Sequence, residues 1–225
     1  MNFLLKKIFI DHRKGLSLRM MRTPRKWYHH YRSKKNRNIA PTIICNNCVA
    51  GVILHDLGLR FITPTINTLF YNFQDFYDFV QHLEYFSNAN IFRVESKRYQ
   101  YPVGGISFNG RTIKIGFVHY CSFEEAKNKW MERFKRINYD NVYVIYENRN
   151  VEEEELMLFS HIQYPKLVFS VFDKNKEKNY LFYKGHKLYR KWFPGKIFEY
   201  KGFFSLKRYL DDFGYISFLN SGREI

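Results

Sequence analysis

Apolar positions change their spacing several times along the chain, and each change marks an element. "PTIIC", residues 41–45, is a short β-branched run and predicts a strand buried on both faces. "CVAGVILHDLG", 48–58, reads as a short helix that Gly58 stops. "RFITPTINTLF", 60–70, reads as a second extended run. In "NFQDFYDFVQHLEYF", 72–86, Phe76, Phe79, Val80 and Leu83 fall at helical spacing. Asp75 stands near the start of that helix, where the dipole favours a carboxylate.

"YPVGGISFNGRTIKIGFVHY", 101–120, holds two strand-like runs about Asn109-Gly110, a strong hairpin signal. "SFEEAKNKWMERFKRI", 122–137, opens with Ser122 and Glu125 at capping-box spacing and carries Ala126, Trp130, Phe134 and Ile137 as its apolar stripe. "NVYVIYENR" predicts a buried strand, "VEEEELMLFSHI" a helix with an acidic first turn, and "KLVFSVF" a further strand. The aromatic, basic tail from Lys174 predicts short strands in "NYLFY" and "GKIFEYKGF" and a short helix around "SLKRYLDDFG".

Strands alternating with helices predict an α/β fold, a three-layer α/β/α sandwich with a mainly parallel (mixed) sheet and an inserted β-hairpin. Ligands in such sheets bind beyond the carboxyl ends of the strands. That directs attention to the turns after "TIIC" and "GFVHY" and to "ENR" after "NVYVIY".

Composition changes this picture in two ways. Aromatics make up 20% of the 225 residues, enough apolar area for a large core, which excludes a disordered chain. The net charge of +16 is also unevenly spread: residues 1–40 hold twelve Lys and Arg against Asp11 alone. We therefore expect a basic N-terminal segment, 1–40, and a single domain, 41–225. Leucines, isoleucine and methionines at three- and four-residue spacing within 1–40 predict a broken basic amphipathic helix, interrupted at Gly15 and Pro24. It is either packed on the domain with a solvated basic face or laid on an anionic membrane or a nucleic acid. The opening residues have no secretion-signal core, no stretch reaches the roughly 20 apolar residues of a bilayer span, and three cysteines form no disulfide framework. The expectation is a cytoplasmic protein, peripheral on the inner membrane face if the basic segment docks there.

Asn46, Asn47 and Cys48 are the first chemical candidates. A cysteine near a helix N-terminus can be held as a thiolate, and His119, ending a strand, can act as its base. Asn46 or Asn47 would then donate to an oxyanion. The alternative is a helix cap beside a small buried thiol. Cys45 and Cys48 have redox spacing, but Cys45 closes an apolar strand. Cys45, Cys48, His55 and Cys121 offer four zinc ligands without a second close-spaced pair, so no metal is assigned. His55 and Asp56 form either a substrate-facing pair or a C-terminal cap. Arg136 and Arg149 are candidates for holding a phosphate or diphosphate.

The stretches "NNC", "LG", "PT", "DF", "PVG", "HY" and "EEA…KW…R…RIN.DN", between about Pro41 and Phe172, resemble the DUF1919 family, bacterial proteins described in terms of exopolysaccharide and capsule biosynthesis. The family often carries Ser where Cys45 stands here. The resemblance implies an α/β fold and a setting in surface-polysaccharide assembly, and it adds Tyr120 and Asn138 to the substrate-binding candidates. On this basis we expect a transferase acting on a glycan precursor, lipid-linked or free, by acyl transfer from a donor such as acyl-CoA, with Cys48 as nucleophile and His119 as base. The alternative is a metal-independent glycosyltransferase using a nucleotide-sugar, with Asp75 or Asp140 near the diphosphate. A third reading is a non-enzymatic module binding a membrane or, less in keeping with charge confined to 1–40, nucleic acid.

Overall fold

The computed structural model describes residues 15–170, 183–185 (backbone) and 195–222. The expectations for residues 1–14 and for most of "NYLFY" lie outside them.

The expected parallel sheet is present. β1 (Thr42–Cys45), β6 (Val142–Glu147), β7 (Lys166–Ser170) and β8 (Tyr183–Gly185) lie side by side in that order, and every pairing is parallel. Period-2 alternation sends Ile44, Val142, Val144, Tyr146 and Val168 to one face and Ile43, Cys45, Tyr143, Ile145, Leu167 and Phe169 to the other. Both sets are apolar because both faces are covered, as parallel sheets require.

One face is covered by α2 (Val49–Asp56), a 3-10 turn at Tyr209–Phe213 and α7 (Tyr215–Ser221). The other face packs α3 (Phe73–Gln81), α4 (Leu83–Asn88), α5 (Phe123–Phe134) and α6 (Glu153–Ser160). The hairpin, β4 (Val103–Phe108) and β5 (Arg111–Gly116), turns at Asn109 and Gly110, both at positive φ. It is larger than an insertion. β2 (Leu69–Phe70) pairs with β5 and β3 (Phe92–Val94) with β4, so a separate four-stranded antiparallel sheet, β2-β5-β4-β3, joins that second core.

Three stretches differ from the pattern-based reading. Of the extended run 60–70 only Leu69–Phe70 is strand. Thr63, Pro64 and Thr65 turn the chain, and Thr65 instead caps the free edge of β1 by accepting from the Cys45 amide at 3.1 Å. The helix predicted across 72–86 breaks at His82, whose φ of −127° and ψ of 39° interrupt the ladder between α3 and α4. In the tail the strand expected in "GKIFEYKGF" is a 3-10 turn at Lys196–Phe198 followed by an isolated bridge from Tyr200 to Arg208. The helix expected around "SLKRYLDDFG" is the 3-10 turn at Tyr209–Phe213, and α7 forms beyond it in "YISFLNS".

The basic segment is a docked helix, α1 (Arg22–Ser33), preceded by helical residues 15–20. Arg25 is buried. It donates from Nε to the Ser205 carbonyl at 3.1 Å, from Nη1 to Ser17 O at 3.2 Å and from Nη2 to Phe203 O at 3.0 Å. Arg32 pairs with Asp211 in the 3-10 turn. Among the described residues no helix is long and apolar enough to cross a membrane.

Candidate functional site

At the carboxyl end of β1 the chain leaves the sheet, and two asparagines take over from the strand ladder. Asn46 donates from Nδ2 to the Glu147 carbonyl and accepts the Glu147 amide on Oδ1, both at 2.9 Å. This side-chain pair continues the link between β1 and β6 beyond Cys45 and Ile145. Asn47 works in two directions. Its Oδ1 accepts the Val49 amide at 3.0 Å, satisfying a free donor at the start of α2. Its Nδ2 donates to Glu147 Oε2 at 2.5 Å, which fixes the carboxylate.

Glu147 is buried and ends β6, with Asn148 and the exposed Arg149 following it. Ser170, ending β7, donates its hydroxyl to the Arg149 carbonyl at 2.7 Å. The edge of three strands therefore carries Asn46, Asn47, Cys48, Glu147 and Arg149. The His119 turn is tied to the same region through two backbone links: Phe70 N to Asn46 O at 2.8 Å, and Val118 N to Asn67 O at 3.0 Å.

The thiol chemistry is different from the expectation. Burial alone pushes the Cys48 thiol up to about 11, and no cationic partner lowers it. His119 is exposed, and among the described residues no hydrogen bond or ion pair joins it to Cys48. Cys45, with no exposed surface, is pushed up to about 12, chiefly by burial. Both are free thiols, protonated at neutral pH, which suits packing better than nucleophilic or redox work.

A family model described as a domain of unknown function, DUF1919, matches residues 19–220. The chain belongs to this family. An uncharacterized protein of Haemophilus influenzae is 31% identical over 189 residues, which is 83% of this chain and 87% of the relative. The DUF1919 match extends past the expected 41–172 at both ends. The physical reason is visible in Arg25 and Arg32, which tie α1 to residues 203–211 as parts of one fold.

Other sequence candidates in this DUF1919 chain lie away from the edge. Asp75 is buried at the start of α3 and committed to Arg111, which also holds Asp78. It is a structural ion pair and not a diphosphate site. Tyr120 donates to Ile66 O at 3.3 Å and accepts from Arg133, so the two pin the 61–68 loop. Arg136 is paired with Glu132 and donates to Phe61 O at 3.4 Å, which uses its phosphate-binding fork. Asn138 caps the 3-10 turn at Tyr139–Asn141, and exposed Asp140 lies in that turn. Both precede β6 and therefore stand at the amino end of the sheet, opposite the expected site. His55, exposed at the end of α2, shares a 3.2 Å contact with Asp56. The residue missed by name is Glu147. Its signal was a carboxylate closing an otherwise apolar strand.

Proposed function

We propose that the protein is a transferase for a sugar hydroxyl in bacterial surface-glycan assembly, acting at the carboxyl edge of the parallel sheet. The observation that carries this reading is the Asn46–Asn47 clamp on Glu147. A buried carboxylate held in one orientation beyond a strand end is suited to general-base work. Protonated Cys48 argues for glycosyl transfer over thiol-based acyl transfer.

In this reading Glu147 takes the proton of the acceptor hydroxyl as its oxygen bonds the anomeric carbon of a nucleotide-sugar. The bond from that carbon to the diphosphate breaks, and its electron pair leaves with the diphosphate. Arg149 would face the charge of the leaving group. The setting fits a membrane-borne acceptor: Trp27 and Tyr31, one turn apart on α1, are 74% and 58% exposed beside Lys26 and His30.

Thermal-shift screening against UDP-glucose, other nucleotide-sugars and acetyl-CoA tests the donor class. A nucleotide-sugar is expected to raise the unfolding temperature, and release of nucleoside diphosphate then reports turnover. Glu147→Gln should keep donor binding and lower turnover by about 10²–10⁴-fold. Cys48→Ala should leave it nearly unchanged. Stabilisation by acetyl-CoA alone, with activity lost in Cys48→Ala, would return the acyl-transfer mechanism.

A further inference from the structure

The far end of α2 opens onto a second cavity. Its volume is about 530 Å³, in the range of small-ligand sites. It lies about 10 Å along the helix from Cys48, since Val49 starts and Asp56 ends a helix rising about 1.5 Å per residue. The walls come from Leu18, α1, the end of α2 and the C-terminal region, and all but Leu18 lie within the family match.

Its charge is unbalanced. Among the described residues Arg22, Arg25, Lys26 and Arg208 line it, together with His29, against a single carboxylate, Asp56. Asp56 is already taken: Arg208 Nε stands 3.1 Å from Oδ2 and His29 Nδ1 3.6 Å from the same oxygen. Among the described residues Arg25 donates only to carbonyls and the Ser17 hydroxyl, and none of them gives its charge a carboxylate. Among the described residues Arg22 and Lys26 have no ion-pair partner.

The site is also stiffened. Two guanidiniums stand over the Tyr200 ring, Arg25 at 3.6 Å and Arg208 at 4.7 Å from its centroid. Its hydroxyl shares a 3.2 Å hydrogen bond with His29 Nε2. Burial holds the His29 imidazole below its ordinary range, and neighbouring Arg208 and Arg32 act in the same direction despite Asp56. The fold thus gathers cations around a concave surface and fixes some of them without neutralising them. Arg25 and Arg208 spend most of their donors on carbonyls and on Asp56 and supply positive potential, while the exposed Arg22 and Lys26 offer the donors for a phosphate.

We propose that the cavity between α1, the end of α2 and the Tyr200–Arg208 segment binds a phosphate or diphosphate group, separately from the Glu147 edge. The chemistry is shared by a phospholipid headgroup and a soluble phosphate ester, and the two sources are separable by experiment.

Binding of inorganic pyrophosphate to the full chain is measured by calorimetry at low salt, and sedimentation with phosphatidylcholine vesicles is compared with and without 30% phosphatidic acid. Arg22→Glu/Lys26→Glu reverses two solvent-facing walls and spares the buried Arg25. Lys114→Glu/Lys127→Glu, on β5 and α5, makes the same change of net charge elsewhere. Wild type should bind at least one probe, Arg22→Glu/Lys26→Glu should weaken it tenfold or more, and the control pair and Glu147→Gln should not. Pyrophosphate binding without vesicle binding identifies a soluble ester; vesicle binding with that same mutant pattern identifies a headgroup. No binding of either probe overturns the proposal, as does an equal loss in both charge-reversed pairs. Pyrophosphate binding kept in Arg149→Ala places the site away from the Glu147 edge whatever the fate of the transferase reading, and its loss in Arg149→Ala overturns the proposal.

Discussion

The Cys48 thiol separates what a residue type allows from what its surroundings permit. At a helix N-terminus a thiol can ionise early, but here burial pushes its pKa up to about 11. A maleimide at pH 7.5 is expected to label exposed Cys121 first, Cys48 at least about tenfold more slowly, and buried Cys45 only on unfolding. Mass spectrometry of timed digests reads that order. The sign of the pH effect follows. The unfolded chain loses these thiol protons near 9, the folded chain near 11 and 12. The contribution to stability is therefore complete below about pH 9 and is lost as pH rises through the folded values. Cys48→Ala should reduce the fall in unfolding temperature between pH 8.5 and 10.5. Rapid Cys48 labelling at neutral pH would restore the thiolate.

At the scale of elements, the second sheet was only half legible. Asn109-Gly110 announces its hairpin, because a two-residue turn demands positive φ from both. The outer partners β2 and β3 are two and three residues long, too short to show a period in the sequence. They pair because the hairpin already offers two edges. What makes β4 fit is the absence of a side chain. A Cβ on Gly104 would stand 2.7 Å from Ile91 Cδ1 and 2.8 Å from Phe117 Cε2, both in the core. Gly104→Ala is expected to cost about 1–3 kcal/mol by overpacking, measured by urea unfolding. A neutral result would mean the sheet yields more readily than its packing implies. Helices α2 and α5 were legible by contrast: Gly58 stops one in a left-handed conformation, and the Ser122 side chain accepts from Glu125 N at 3.2 Å to start the other.

At the scale of the molecule, α1 closes against the C-terminal region at residues 203–211. Arg25 is the centre of that closure, holding carbonyls at Ser17, Phe203 and Ser205. Removing it leaves buried acceptors unpaired, so Arg25→Ala is expected to cost on the order of 2–3 kcal/mol. Hydrogen exchange should quicken in both α1 and residues 203–213, although they are far apart in sequence. Faster exchange in α1 alone would show that the C-terminal region holds independently. The sequence by itself determined the alternating α/β plan, the strands β1, β6 and β7, the hairpin turn and the helix starts, because these rest on local periodicity and capping. It also singled out Asn46 and Asn47. Only the tertiary structure decided that they clamp Glu147, about 100 residues on, that Asp75 and Arg136 are consumed by Arg111 and Glu132, and that α1 meets Tyr200 and Arg208 around a basic cavity. Hydrogen-bond partners and desolvation depend on which distant segments arrive together, and neither is written in the spacing of residues along the chain.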